Sequence, residues 1–481
     1  MTRTSTAPHA ESTVMTEPSM RRAGMTKQCH HVARANAAPA TTDLTTLSAA
    51  QSGPTPVLRG TREPQTVYVT LEARETQWEL APGKTVTAWG YQGMVPGPMI
   101  VAHVGDTLVV RLINHLPEPT VIHWHGLRLP AAMDGTESVQ LLVQPGETFE
   151  YRFLLPDAGT FWYHSHANET VQIERGLYGA LIVLGDDEPA FDADRVLVLD
   201  DLKLDRKGRI AKTALFDRHT GREGQALLIN GRVAPVFEIA AGHTERWRIV
   251  NACSARYVRL SLGGRPFRVI GADGGLRDTA VTVTDTLLTP GDRVELAVGP
   301  FDDEGAEIVI ESLPYRRTKM KWPRRTRWGT LRVGPRSASR ASIPTALAAI
   351  TPLVPEGPLS PNRIVRLGAR MTFHGHDWLI NDETHHHDAP VKVGELQVWD
   401  IVNETAMDHP FHLHGFFFQV VAVDGVRTTP TSWEDTVNVT GKQTVTIAFR
   451  PDDRPGMWMY HCHILEHHAA GMMGHFEVVR G

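Results

Sequence analysis

Cysteine is almost missing from this chain: 481 residues contain three, Cys29, Cys253 and Cys462. An odd, sparse set does not build a disulfide framework, so stability must come from apolar packing. Long apolar runs are missing too, since no stretch approaches the ~18 residues of a membrane-spanning helix. Positive charge is not in excess, the net charge being −5. That excludes the broad basic field of a general nucleic-acid binder. Long helical periodicity is scarce. What is present instead are short alternating runs punctuated by 41 glycines and 32 prolines, which read as β-strands and turns.

Residues 1–61 are poor in large apolar side chains and rich in Thr, Ser, Ala and Pro. Such a segment buries too little surface to offset chain entropy, and disorder is expected. Arg21-Arg22 invites a twin-arginine export reading, but residues 23–28 provide no apolar segment after the charges, so no export signal is read here.

Three segments share one pattern. They open on Gly105, Gly242 and Gly394, run through β-prone residues, and close on Asn114, Asn251 and Asn403. An echo follows each: Pro145-Gly146, Pro290-Gly291 and Thr440-Gly441 precede further strand-like runs. Repeats roughly 140 to 150 residues apart are domain duplications, too long for solenoid units. The expected architecture is all-β, with three consecutive β-sandwiches over 62–190, 191–340 and 360–481 and a Pro-, Ala- and Ser-rich linker over 341–359.

Histidine pairs carry the chemistry. The first sandwich holds His123-Trp-His125 and His164-Ser-His166; the third holds His412-Leu-His414, just after His409, and His461-Cys462-His463, followed by His467. Residues two apart on a strand share a face, so each pair aims two imidazoles at one point. Neutral imidazole suits copper. At the last pair His461 and His463 face one way and Cys462 the other, so a thiolate can hold one metal while its neighbours hold others. His409 and His467 are available to complete a two-His, one-Cys copper site, with Met472 as a weak axial thioether. A single His-x-His pair is more often surface chemistry or chance. His374-Gly-His376 and His385-His-His387 match as well; the first is read as structural, the second as a solvated loop with an accessory metal site as the alternative. Four pairs in two domains, one flanking a cysteine, are what chance does not supply.

These four segments resemble the copper motifs of the multicopper oxidases, the family of laccases, bilirubin oxidases, ascorbate oxidase and bacterial copper-efflux oxidases. The likeness covers residues 65–481 and implies cupredoxin-like Greek-key domains and four copper ions. On it, His409, Cys462 and His467 match the type 1 ligands, with Met472 axial; His123 and His412 match the type 2 pair; His125, His164, His166, His414, His461 and His463 match the type 3 ligands. The trinuclear cluster would sit between the first and third domains, and the central one would be structural. Partners would be dioxygen and a small reductant, a phenol, aromatic amine or reduced metal ion, with the protein a monomer. Periplasmic or secreted localisation is usual for the family, against the missing signal noted above.

Reducing dioxygen consumes protons, so carboxylates are expected nearby. Asp134 resembles the family's acid beside the type 2 water, against a plain turn aspartate before Gly135. Asp435 resembles the acid on an outer strand near the type 1 copper, against a surface role. Cys462, His461, His463, Asp134 and Asp435 are thus the candidate catalytic residues. One departure stands out: several bacterial relatives carry an acid after the second type 1 histidine, where this chain has His468. Imidazole can shuttle protons near neutral pH, so a shifted pH optimum is expected rather than loss of oxygen reduction. No methionine-rich insert appears, which favours a laccase-like oxidase of phenols over a Cu(I), Fe(II) or Mn(II) oxidase. Residues 315–328 carry seven positive charges with interleaved aromatics, read as a solvated face or as an anion-binding surface. Two other classes compete: a copper-sequestering resistance protein without turnover, and a structural relative that has lost its ligands, which the full histidine set opposes.

Overall fold

The computed structural model describes residues 46–47, 63–372 and 375–481. Among these residues almost every regular element is a strand, and no helix is long and apolar enough to cross a membrane. The repeat seen in the sequence is a repeat of sheet topology. In each third of the chain an opening strand (Thr66–Ala81, Ala193–Leu202, Arg363–Thr372) lies parallel to the strand of the Gly-to-Asn motif (Thr107–Asn114, Glu245–Asn251, Gln397–Asn403). That strand then pairs antiparallel with the run after the second echo, Thr148–Leu154, Arg293–Val298 and Thr444–Phe449.

Each such sheet faces a second one across an apolar core, giving six sheets in three sandwiches. Leu71, Leu108 and Leu112 meet Ile100, Trp124 and Tyr163 in the first. Ile249 and Leu296 meet Leu260, Ile310 and Leu331 in the second, and Trp399 and Ile447 meet Phe411, Trp458 and Phe476 in the third. Inward residues alternate with outward ones along the strands, the signature of sheet-on-sheet packing. A further apolar cluster joins Trp162, Val198, Val250 and Leu465, so all three sandwiches share a seam.

The closing asparagine does the same work three times. Asn114 Nδ2 donates to the carbonyls of Glu118 and Val143 at 2.9 and 2.8 Å, while its Oδ1 accepts from Leu116 N at 2.9 Å. Asn251 donates to Arg256 and Leu288 at 2.9 and 3.1 Å and accepts from Cys253 N at 3.2 Å. Asn403 donates to Met407 and Val439 at 2.7 and 2.9 Å and accepts from Thr405 N at 2.9 Å. A buried primary amide satisfies both edges of a loop at once, which is why the repeat ends on this residue type. In the first and third sandwiches that loop leads directly into the histidine strands.

The Pro- and Ala-rich stretch 341–359 is docked rather than free. Ser342 bridges Ala190, Leu347 N donates to Asp278 O at 2.7 Å, and Leu353 N donates to Gln419 Oε1 at 2.8 Å. Its apolar side chains pack on the second and third sandwiches. Of residues 1–61, Thr46–Leu47 form a two-residue strand against Met99–Ile100; the rest of that tail lies outside the described residues.

Replacing Asn251 by leucine removes three bonds and strands two buried carbonyls, with an expected loss of about 3 kcal/mol in unfolding free energy. Urea denaturation measures it, and a loss below about 1 kcal/mol, the worth of one ordinary bond, would show that the amide does not pin the loop.

Candidate copper centres

Strand pairing brings the histidines together. Ile122–His125 runs antiparallel to Gly159–Ser165 with His123 opposite His164, and His409–Leu413 runs antiparallel to Gly456–Cys462 with His412 opposite His461. All eight paired imidazoles are buried. Their free nitrogens fall into groups whose ligand atoms lie within 4.8 Å of one another: His125, His164 and His463; His166, His414 and His461; His123, His125 and His412. Every group draws on both ends of the chain.

For most of these rings, one nitrogen is tied and the other is not. His123 Nδ1 donates to Asp134 O at 2.8 Å, His164 Nδ1 to Ser165 O at 2.9 Å, and His412 Nδ1 to Asp435 O at 3.0 Å. The opposite Nε2 atoms of His123, His164 and His412, and that of His166, are buried without any partner. Unpaired buried polar atoms cost about 1–3 kcal/mol each, so a cluster of them needs an explanation. His414 and His461 sharpen the point. Their Nδ1 atoms donate to Asp134 Oδ2 at 2.8 Å and Cys462 O at 2.9 Å, which leaves lone pairs on two Nε2 atoms that face each other at 3.0 Å. Two lone pairs at that distance repel unless a cation lies between them.

Burial, reinforced by neighbouring imidazoles, pushes His164, His414, His461 and His463 well below the usual histidine range, so they are neutral donors. His166 differs: burial alone would lower it, but Glu169, 3.0 Å from its Nδ1, wins and raises it.

Cys462 faces the other way. Its Sγ lies 3.4 Å from His409 Nδ1 and 3.8 Å from His467 Nδ1, and those two nitrogens are 3.2 Å apart. Thr405 Oγ1 meets His409 Nε2 at 2.9 Å, and His467 Nε2 donates to His219 O at 3.1 Å. Met472 is fully buried beside this trio, its carbonyl accepting from Cys462 N at 3.1 Å and its N–H donating to His467 O at 3.0 Å. Burial drives the thiol up to about 12, so a metal binding there must displace a proton. The donor set of soft thiolate, two neutral imidazoles and a nearby thioether suits copper, and the orphaned imidazole nitrogens fit further ions.

The segments that carry these groups match known proteins. Patterns described as multicopper oxidase match residues 72–188, 195–305 and 359–481. The chain is 31% identical to the multicopper oxidase MmcO of Mycobacterium tuberculosis, over 86% of this chain and 88% of that one. The chain belongs to the multicopper oxidases. It is also 26% identical to the laccase of Bacillus subtilis, covering 81% of this chain and 90% of that one. The solved multicopper oxidase of Campylobacter jejuni, titled a metallo-oxidase, is 32% identical with a TM-score of 0.77, covering 88% and 93% of the two chains. This multicopper oxidase is therefore an oxidoreductase with oxygen as acceptor, of a family that works with copper.

Several expectations are corrected. Asp435 is neither on the surface nor against the Cys462 trio. It is buried, 3.2 Å from His125 Nε2 and 3.4 Å from His412 Nδ1. Arg293, from the central sandwich, grips it with both Nη atoms, one at 2.7 Å. Asp273, also central, accepts from Arg293 N at 2.8 Å and Thr436 N at 2.9 Å. The same sandwich supplies Gly291, where a Cβ would lie 2.9 Å from the His463 ring. The central domain of this oxidase thus shapes the site rather than merely spacing the others. Asp134, before Gly135, also touches the histidine cluster, holding His123 through its carbonyl and His414 through its carboxylate.

The sequence reading missed Glu169. It sits on the short helix Glu169–Gln172, three residues after His166, with one carboxylate oxygen 3.0 Å from His166 Nδ1 and the other accepting from His468 Nδ1. His468 is buried and stacks on His461 at 4.1 Å. A carboxylate from the first sandwich thus reaches His468. The spacing His166 to Glu169 was the only available signal. His374 lies outside the described residues, and the His376 ring lies tilted against that of His219, centroids 4.0 Å apart. His386–His387 form a short strand beside Gly474–His475 rather than a loop, with His386 held by Glu383 at 2.8 Å.

His467 has no open edge. Trp378 stacks on it at 3.9 Å, and beyond Trp378 lies a cavity of about 390 Å³ lined also by His219, Met320 and Thr405.

Arg293 overrides burial and holds the Asp435 carboxyl well below the usual carboxylate range. Such a group stabilises the fold above its unfolded pKa of about 4 and loses that contribution as pH falls through the folded value. Replacing Arg293 by methionine is expected to cost about 3–5 kcal/mol at neutral pH. The gap to wild type should narrow below about pH 4; denaturation across the acid range measures it, and a pH-independent gap would refute this account.

Proposed function

We propose that this chain is a laccase-like oxidase that takes single electrons from a small reductant near Cys462 and reduces dioxygen to water among the eight paired histidines. Four copper ions are assigned. His409, Cys462 and His467, with Met472 axial, would hold one, and His123 and His412 another. His125, His164, His166, His414, His461 and His463 would hold the remaining two. Bound there, copper supplies one-electron redox chemistry, and four electrons with four protons turn one dioxygen into two waters. Division into domains over 62–190, 191–340 and 360–481 belongs to the same reading.

The observation that carries it is the position of Cys462. Its thiol joins one donor group while the imidazoles on either side join two others, so peptide and side-chain bonds alone link the three. Neither a storage protein nor a scaffold needs that link. The protein's other groups hold the donors in place. Asp134 fixes His123 and His414, Asp435 faces His125 and His412, and the backbone carbonyls of Ser165 and Cys462 orient His164 and His461. Glu169, bridging His166 and His468, is the carboxylate best placed to pass protons toward the oxygen-reducing site.

On the reductant side, the cavity at Trp378 offers an aromatic wall to a phenol or aromatic amine. A second reading has an observation of its own. Met320 Sδ lies 3.0 Å from His219 Nε2 in that cavity, a thioether and an imidazole that would suit Cu(I), and the Campylobacter jejuni relative is titled a metallo-oxidase.

Oxygen uptake by the copper-loaded protein, with a phenol, Cu(I), Fe(II) and Mn(II) compared side by side, decides between them. Uptake with the phenol, and loss of both uptake and the blue absorption band in Cys462→Ser, is the expected result. An intact band and intact turnover in that variant would overturn the assignment, and colour without uptake would favour sequestration. Glu169→Gln should slow uptake about a hundredfold, the size of a general acid–base effect, while the blue band stays; unchanged rates would remove Glu169 from proton delivery.

A further inference from the structure

The basic run at 315–328 remains unused by this chemistry. Most of it connects the strands Glu307–Leu313 and Thr326–Arg336 of the central sandwich, its last three residues opening the second strand, and it walls a second cavity of about 200 Å³. Four cations line that cavity: Arg256, Arg317, Lys321 and Arg324. Against them stand two carboxylates. Glu223 is shared by Arg317 at 2.9 Å, Lys321 at 3.2 Å and Arg256 at 3.5 Å, and Asp201 takes a second bond from Arg256 at 2.8 Å. Arg324 has no acidic partner among the described residues. Two positive charges are left over.

A surplus of charge on a surface loop is ordinarily met by solvent. The position of Arg317 makes this loop different. The residue is 5% exposed, its Nη2 donates to Thr220 O and Glu223, and its Nη1 is buried with no partner. Arg317 lines the cavity and its guanidinium keeps a hydrogen-bonding nitrogen unused, and Arg presents its N–H groups in a fork that matches carboxylate and sulfonate oxygens. The cavity also has aromatic character. Tyr257 and Tyr315 stack nearly parallel at 5.4 Å, and Trp322 is 79% exposed at the rim. Thr318 lines both this cavity and the one at Trp378.

We infer that this cavity docks the acidic group of an anionic aromatic molecule, a sulfonate or carboxylate, with its ring directed past Thr318 toward the reductant cavity. Arg317, Lys321 and Arg324 bind the acid, and Trp322 covers the ring. The catalytic consequence, a preference for acidic over neutral phenols, rests on the oxidase reading; the binding itself does not.

The test starts with calorimetry on the copper-loaded protein, using benzenesulfonate, which carries no oxidisable hydroxyl, against neutral benzenesulfonamide and against inorganic sulfate. Saturable binding of benzenesulfonate alone is expected, weakened roughly tenfold in Lys321→Gln/Arg324→Gln, the effect of losing charged hydrogen bonds. These rim residues keep the test open even if Arg317→Gln fails to fold. In turnover, the ratio of kcat/KM for sulfonated guaiacol over guaiacol should fall about tenfold in the double variant, through KM. Three results would overturn the inference: equal binding of the sulfonamide, unchanged sulfonate binding in the double variant, or sulfate binding as tightly as benzenesulfonate, which would mean a bare anion hole. Charge-selective binding without any oxygen uptake would uphold the pocket and sink the oxidase reading instead.

Discussion

The whole site depends on the two-residue period of one strand. Because Gly456–Cys462 is extended, the thiol of Cys462 and the imidazole of His461 leave the backbone on opposite sides. The same alternation makes Cys462 part of the third sandwich's apolar core while His461 reaches the seam with the first sandwich. A shift of one residue in register would exchange the two faces, burying imidazoles in the core and presenting the thiol to the histidine cluster. The register is held by pairing on both sides, with His409–Leu413 on one edge and Met473–Val479 on the other.

Holding eight imidazoles in a closed space is unfavourable in itself, since each ring leaves polar nitrogen out of water. The cost is met by carbonyls and carboxylates on the outer nitrogens and by a buried ionic network beneath them. Arg293, Asp435 and Asp273 form that network, and none is exposed. Removing one partner from such a group strands the others, so the three stand or fall together. Two of them come from the central sandwich. A domain without a histidine pair thereby sets the orientation of histidines contributed by its neighbours, and its Gly291 gives His463 the room it occupies.

What could be read from sequence follows from this geometry. The His-x-His pairs, the repeated glycine-to-asparagine segments and the strand alternation are local, and local order fixed them in advance. The resemblance to the multicopper oxidases then named the ligand set. The supporting groups were not legible, because their partners are far away in the chain: Arg293 meets Asp435 across 142 residues and Asp134 meets His414 across 280. Asp435 was misplaced for that reason. Its neighbours in sequence lie on a strand paired with the one bearing His409, yet its side chain points across to His125. Glu169 was missed because an acid on a one-turn helix gives no sign of the imidazole from the far end of the chain that it receives. The closing asparagines are the opposite case, a long-range role repeated often enough to be visible.

The covering of His467 bears on how a reductant is selected. With its Nε2 bonded to a backbone carbonyl and its face under Trp378, this histidine presents no atom to an incoming molecule. Selection must therefore rest on the wall of the cavity outside it: an indole, a thioether–imidazole pair and, past Thr318, a cationic pocket. These surfaces differ in chemistry, and none belongs to the ligand set that places the chain in its family. On the proposed reading the ligand motifs govern what the site does with an electron, and a cavity wall shared by the central and third sandwiches governs whose electron arrives. That separation is the physical reason why a shared copper motif leaves the reductant open.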